Sequence, residues 1–290
     1  MTFQAHSPVD RRFASTARLF SADEFARIRA GHVAVVGLGG VGSWAAEALA
    51  RSGVGALTLI DMDHVAESNL NRQVQALHST LGMAKGKALA DRIRDIAPDC
   101  DVRVVDEFVT PENFGEIASA VDRHVDPSGL LAVTEEPSLR GSCPPSLRGP
   151  DGAVAIQPAI WLDATDDLRA KKAMIVWLQA QKGLKRLIVS GGAGGKTDPT
   201  RIEVTDLSET LQDPLLSTLR YDLRKQHGFP RQGKMKITAV FSRQPSVKSD
   251  DCDSSAKLAC AGYGSLVTVT AVMGMVAASE ALARLQKKSS

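Results

Sequence analysis

A short apolar run, Val33 to Val36, leads directly into Gly37-Leu38-Gly39-Gly40-Val41-Gly42-Ser43, and no other stretch constrains the fold of this chain as tightly. The run reads as a buried strand, the glycines as a tight turn, and the residues beyond Gly42 as the start of a helix. The spacing is G-x-G-x-x-G, at Gly37, Gly39 and Gly42, with Gly40 as an extra small residue inside it. Glycine lets backbone N–H groups approach a phosphate closely, and a helix N-terminus favours an anion. These residues therefore predict an α/β chain with a nucleotide site near its N-terminus.

Which nucleotide is decided further along. A glycine turn after a strand usually implies NAD or FAD, with an acidic residue about 20 positions on to hold the ribose. A second strand, 56–60, ends in Asp61, which suits that role. The chain then continues Asp61-Met62-Asp63, Ser68-Asn69-Leu70-Asn71-Arg72-Gln73 and Gly82-Met83-Ala84-Lys85. Hydride transfer has no need of an Arg and a Lys beside the phosphates. Expulsion of pyrophosphate does, because charge builds on the leaving group. ATP is therefore favoured over NAD.

The alternation of strand and helix extends through the N-terminal half. Ser21-Ala22-Asp23-Glu24 is a capping-box pattern opening a helix to about residue 30. Strands are predicted at 32–36, 56–60 and 101–106, and helices at 43–52 and 84–97, with Pro98 ending the second. Thr110-Pro111-Glu112 predicts a further helix with proline at its first position. Residues 124–157 break the rhythm with five prolines and a near-repeat of Pro-Ser-Leu-Arg at 137–140 and 145–148, and they read as a surface insertion. A strand near 158–163 then leads to Asp166-Asp167 and a helix over 168–182. Ligands of open α/β sheets gather at the carboxyl ends of strands, so Asp166 is either a candidate Mg²⁺ ligand or an N-cap for that helix, a role that Asp167 can fill as well. After a strand at 186–190, the glycine run 191–195 is either a backbone site for substrate or a monovalent cation, or a tight turn between strands.

The C-terminal third predicts strands near 201–205 and 236–242, with a helix from Asp213-Pro214 to just before Gly228. Arg220, Arg224, Lys225, His227, Arg231, Lys234 and Lys236 make this region locally basic: a solvated face, or a contact with RNA phosphate, which needs cations but no particular sequence. Residues 243–257 are polar. From Leu258 to Ser279 there is no charge, a length sufficient to span a bilayer. Its glycines, threonines and serines favour a buried helix under the sheet over an integral span, and leave peripheral membrane contact open.

Composition excludes several classes. The 290 residues are 43% hydrophobic and 23% charged, which is ordinary globular usage, and a net charge of +2 is too small to imply nucleic acid by itself. Cys100, Cys143, Cys252 and Cys260 form no C-x-x-C pair, which argues against structural zinc and a disulfide framework. Cys260 reads as a small buried residue in preference to a nucleophile, since no cation adjoins it to lower its pKa. Met1 to Arg12 is polar, so no signal peptide is expected, and the expected compartment is a reducing cytoplasm.

Taken together, Gly37–Ser43, Asp61-x-Asp63, Ser68–Gln73, Lys85 and Leu162-Asp163-Ala164-Thr165-Asp166-Asp167 resemble the adenylating superfamily of ubiquitin activators and bacterial sulfur-carrier activators. Thr16–Phe20, Gly42–Arg51, Ser190–Gly195 and Asp198-Pro199-Thr200 are most similar to its tRNA threonylcarbamoyladenosine dehydratase branch. The resemblance covers nearly the whole chain outside 124–157. It implies a Rossmann-like α/β sheet, mostly parallel in a nucleotide-binding half and mixed in a C-terminal extension. It implies one adenylating domain over 1–290, with a nucleotide core at 20–190 and a substrate and dimer region at 191–290. It implies ATP with Mg²⁺, a modified tRNA as substrate, a homodimer, and room for a sulfur-transfer partner. By the same resemblance Gly37, Gly39, Gly40 and Gly42 meet the nucleotide, with Asp63 and Asp167 beside it, and Asp61 takes the ribose. Ser68, Asn69 and Arg72 face the phosphates, Lys85 neutralises the α-phosphate, Asp166 holds Mg²⁺, and Arg18 reaches across a dimer. The activator of a ubiquitin-like sulfur carrier is the alternative. It shares every ATP residue but is disfavoured by the missing C-x-x-C pairs and by residues 190–200. A non-catalytic nucleotide-binding partner is a third reading, disfavoured because Arg72, Lys85 and Asp166 are all present.

Overall fold

The computed structural model describes residues 10–123, 159–247 and 263–287. Strands β1 (His32–Val36) and β2 (Ala56–Ile60) lie parallel, His32 paired with Ala56 and Val36 with Ile60. All five residues of β1 are buried, as expected of a central strand covered on both faces. β3 (Asp101–Val105), β4 (Ile160–Asp163), β5 (Leu187–Ser190), β6 (Ile202–Asp206) and β7 (Thr238–Ser242) complete one seven-stranded sheet of order β3-β2-β1-β4-β5-β7-β6. Among the described strands of this sheet only the β6–β7 pairing is antiparallel. The chain first builds outward from β1 to β3, then returns to the other side of β1 with β4. The reversal between β1 and β4 is where such sheets bind ligands, outside the carboxyl ends of the strands.

Side chains of alternate residues go to opposite faces of the sheet. Val33, Val35, Leu57, Leu59 and Leu162 join one core with helices α2 (Ala22–Arg29), α3 (Gly42–Arg51), α4 (Lys85–Ile96) and α8 (Val267–Leu285). Ala34, Val36, Trp161, Val189 and Phe241 join the other with α5 (Phe114–Arg123), α6 (Leu168–Ala180) and α7 (Pro214–Gln226). A short helix, α1 (Ala14–Ala17), precedes them all. The capping box at Ser21 is formed, with Ser21 Oγ accepting from Glu24 N and Glu24 Oε2 accepting from Ser21 N. Pro111 is not the first residue of α5. Thr110 and Asn113 exchange side-chain-to-backbone hydrogen bonds, at 2.8 and 3.3 Å, and this local closure delays the helix to Phe114. Phe114 then packs edge-on to Trp161 and Trp177, locking α5 to β4 and α6.

The insertion 124–157 and the polar stretch 248–257 lie outside the described residues, as do Cys143, Cys252 and Cys260. The chain leaves after α5 and re-enters at Ala159, whose N–H donates to Asp122 on α5 at 3.2 Å, with Arg186 also on that carboxylate. Of the uncharged C-terminal segment, residues 263–266 are irregular and 267–279 are helical, and the helix continues past it to Leu285. By length and hydropathy α8 could cross a membrane. It instead lies on α3 and the sheet through a stripe of Val269, Thr270, Met273, Gly274, Ala277, Ala278, Ala281 and Leu285. The three- and four-residue spacing of that stripe is the buried face of a core helix.

Candidate nucleotide site

The turn after β1 is tied down from below. Gly37 has φ +86°, a left-handed conformation that glycine adopts without strain, and its N–H donates to Ile60 O at the end of β2. A side chain at Gly42 would meet Gly37 O at 1.9 Å, so the turn closes only with glycine there. Gly39 is different: a side chain there would meet nothing, because it faces open space. α3 begins with no side-chain cap; Ser43 N donates to Gly39 O at 3.2 Å, and the turn's other leading N–H groups face the helix start where an anion is favoured.

Asp61 is buried, and desolvation pushes its pKa up. One carboxylate oxygen accepts from Leu38 N at 2.6 Å inside the glycine turn, the other from Asp63 N at 2.8 Å. The ribose ligand expected from sequence thus also clamps the turn to the end of β2. Asp63 accepts from Lys85 Nζ at 2.7 Å, and Lys85 N donates to Asp63 O at 2.9 Å. Lys85 is buried at the first position of α4, so its ammonium is held at the site by one partly exposed carboxylate. Arg72 is anchored through a single nitrogen, Nη1, to Ser68 O at 2.7 Å and Asn71 Oδ1 at 3.0 Å. Trp44 of α3 donates to Arg72 O at 3.0 Å, drawing the 68–73 segment over the start of that helix. Asn69 is buried and accepts from Ala66 N, so its oxygen shapes the loop, whereas Ser68 is exposed.

Past β4, the structure separates two neighbouring aspartates. Asp167 caps α6, accepting from Arg169 N at 2.6 Å. Asp166 is exposed, and among the described residues its carboxylate accepts no hydrogen bond. Sequence reasoning missed the residue that positions both. Asp163 is fully buried, bonded to Thr165 N and Oγ1 and to Lys171 Nζ, each at 3.1 Å, and burial raises its pKa. Lys171 also donates to Ser190 O at 2.8 Å, linking the ends of β4 and β5. Nothing in the spacing of Asp163 and Lys171 announces this pair, because α6 must fold back on the sheet to make it.

The glycine run 191–195 is engaged with its own chain. Gly192 N donates to Asp213 at 2.9 Å, and Gly195 exchanges backbone bonds with Val247 and Gly264. Beside the run, buried Lys196 donates to Ser242 O at 2.7 Å and Gln212 O at 3.3 Å. Arg18 is exposed just after α1 and makes no side-chain bond among the described residues.

The donor set fits a nucleoside triphosphate: an uncapped helix start, an open glycine face, and one lysine and one arginine with spare donors. Among the described residues no three His, Cys, Asp or Glu side chains group to hold a metal.

The turn and the sheet are those of a nucleotide-binding α/β protein, and the model described as the ThiF family matches residues 12–127. The chain is similar to the tRNA threonylcarbamoyladenosine dehydratase of Haemophilus influenzae, 38% identical over 287 residues, which cover 97% of this chain and 95% of that one. A crystal structure of the Escherichia coli tRNA N6-threonylcarbamoyladenosine dehydratase in complex with ATP matches with a TM-score of 0.74 at 39% identity, covering 94% of this chain and 93% of that one. The same enzyme in complex with AMP matches at 0.75 and 37% identity, covering 97% and 98%. The chain belongs to the tRNA threonylcarbamoyladenosine dehydratase family.

Proposed function

We propose that this protein uses ATP to dehydrate threonylcarbamoyladenosine in tRNA. The observation that carries the reading is likeness over nearly the full length, 97% of this chain, to an enzyme named for that reaction, with Arg72, Lys85 and Asp166 all present. A carboxylate is a poor electrophile because its oxygen is a poor leaving group. Attack of the threonyl carboxylate oxygen on the α-phosphorus of ATP forms an acyl adenylate and releases pyrophosphate. The neighbouring carbamoyl group then bonds to the activated carbonyl carbon, gives up a proton, and AMP leaves with the former carboxylate oxygen. Closure within one molecule has a high effective molarity, so no enzyme nucleophile is needed.

The glycines Gly37, Gly39, Gly40 and Gly42 bring backbone to the nucleotide, and Asp61 takes the ribose with the lone pairs its backbone bonds leave. Lys85 exchanges an oxygen of Asp63 for one of the α-phosphate, where charge develops. Ser68, Asn69 and Arg72 hold the outer phosphates. Asp166 would hold Mg²⁺, which supplies neutralisation of phosphate charge when bound. Asp167 keeps α6 in place behind it. We assign residues 20–190 to the nucleotide and 191–290 to the substrate and a second copy, Arg18 being the residue offered to that copy's phosphates. Both substrates are cytoplasmic, and so is the proposed site of action. Adenylation of a small protein C-terminus by a sulfur-carrier activator would use the same ATP residues. The match of the C-terminal third favours the tRNA reading.

The test is release of AMP and pyrophosphate with tRNA bearing the modified base, the product nucleoside being analysed by mass. Turnover should require that tRNA, remove one water from the base, and fall by about 10²–10³-fold in Lys85→Ala. ATP cleavage that ignores the tRNA, or that leaves the base unchanged, refutes the proposal.

A further inference from the structure

A second concave site lies on α7, distinct from the glycine turn. It is a cleft of about 580 Å³ lined by Ser217, Arg220, Tyr221, Arg224, Lys225 and Arg231. Four of these six are cations and none is a carboxylate. The two half-buried arginines are held by neutral acceptors. Arg220 Nη1 donates to Leu207 O at 3.1 Å, Thr210 O at 3.0 Å and Thr210 Oγ1 at 2.7 Å. Arg224 Nε donates to Pro230 O at 3.1 Å, which draws the segment carrying Arg231 against the helix. Their orientation is therefore fixed by acceptors that carry no charge, and neither arginine forms a direct ion pair among the described residues. The acid nearest in sequence, Asp222, is turned away and paired with Lys172 at 2.8 Å. Burial, and then the charge of Arg224, lower the pKa of Arg220, while the charge of Asp213 raises it. Tyr221 is 60% exposed, with Lys225 Nζ 5.5 Å from its ring centre.

The position of the cleft matters as much as its charge. Asp213 caps α7 through Leu216 N at 3.0 Å and accepts from Gly192 N at 2.9 Å, next to the carboxyl end of β5. α7 is thus anchored at the reaction edge of the sheet and runs away from it. At 1.5 Å per helical residue, Arg220 and Arg224 stand about 10 and 16 Å along the axis from that anchor. Arg220 reaches back to Thr210, whereas Arg224 and the segment carrying Arg231 lie further along, where the backbone of a large RNA extends past a base held at the reaction edge.

We propose that this cleft binds backbone phosphates of the tRNA, remote from the base being modified, through Arg220, Arg224, Lys225 and Arg231. The inference rests on the tRNA reading of the function. Of the seven basic residues clustered in the sequence, it selects four and leaves out His227, Lys234 and Lys236.

The test uses the full chain with Arg224→Gln and Arg231→Gln combined, and with both residues changed to Lys. Affinity for tRNA is measured by fluorescence anisotropy across a salt series, beside KM for tRNA and kcat. The Gln variant should bind about tenfold or more weakly, and its log–log salt slope should be shallower by about 2. KM for ATP and kcat at saturating tRNA should stay within twofold, and the Lys variant should regain most of the affinity. An unchanged slope and affinity overturn the proposal, as does a loss of ATP binding. Displacement of tRNA by inorganic polyphosphate that is the same for the parent and the Gln variant also overturns it. If the parent protein binds tRNA but never dehydrates it, the functional reading fails. If the parent dehydrates tRNA and the Gln variant matches it, only the cleft assignment fails.

Discussion

Replacing Lys171 with methionine keeps most of the side-chain volume but removes the cation facing Asp163. Both side chains are fully buried, and Asp163 Oδ2 already has no hydrogen-bond partner. The variant loses the 3.1 Å contact to Asp163 and the 2.8 Å bond to Ser190 O, leaving a buried carboxylate held only by Thr165. Breaking such a pair from one side costs about 3–5 kcal/mol. For a chain of this length the unfolding entropy is about 0.6 kcal/mol/K, so the melting temperature should fall by about 5–8 °C. The loss also depends on pH. Burial raises the pKa of Asp163 in the folded protein, and removing the lysine raises it further. A raised folded pKa gives stability that is present below the unfolded value and lost as pH rises through the folded one. The deficit relative to the parent should therefore be small near pH 4 and grow toward neutrality. Changing Asp163 to Asn in the same chain removes the buried charge and should restore part of the loss. Thermal and urea unfolding at pH 5 and 7.5 measure all three. A Lys171→Met protein as stable as the parent at pH 7.5, or a double variant less stable than the single one, would refute the reasoning.

Gly42→Ala places a methyl 1.9 Å from Gly37 O, so the turn must open. Stability should drop by about 1–3 kcal/mol and ATP affinity by at least about tenfold in calorimetry, and undiminished affinity would count against the turn as the phosphate cradle. Ser21→Ala breaks the capping box of α2, should cost about 1 kcal/mol in urea unfolding, and should leave ATP turnover alone. Cys100 is buried and its thiol is pushed up to about 12. With the other three cysteines changed to serine, an aromatic disulfide reagent at pH 8 should react only as fast as the protein unfolds. Stability attached to this thiol is present below about pH 9 and lost as pH rises toward 12. Rapid labelling of the folded protein at pH 8 would contradict the burial argument.

Much of this protein was legible along the chain because the signals are local. The glycine turn, the capping box at Ser21, the N-caps at Asp167 and Asp213 and the buried strands β1 and β2 each depend on residues a few positions apart. Local chemistry fixes them wherever the segment sits. Adenylation was legible for the same reason: Arg72 and Lys85 follow the turn closely enough for one βα unit to present both. Where local readings competed, the fold decided. Asp166 and Asp167 are equivalent in sequence, yet only Asp167 meets the helix start, leaving Asp166 exposed. Asp61 has two tasks because β2 ends beneath Leu38. An uncharged C-terminal segment is a membrane span or a core helix until a sheet covers one side of it, and here α3 and the sheet do. Lys171 finds Asp163 only when α6 lies back on β4, and four of seven basic residues share a cleft only when α7 and the segment after it are brought together. Propensity, capping and turn geometry are properties of neighbours in sequence. Burial and the pairing of distant charges belong to surfaces that the chain acquires when it closes on itself.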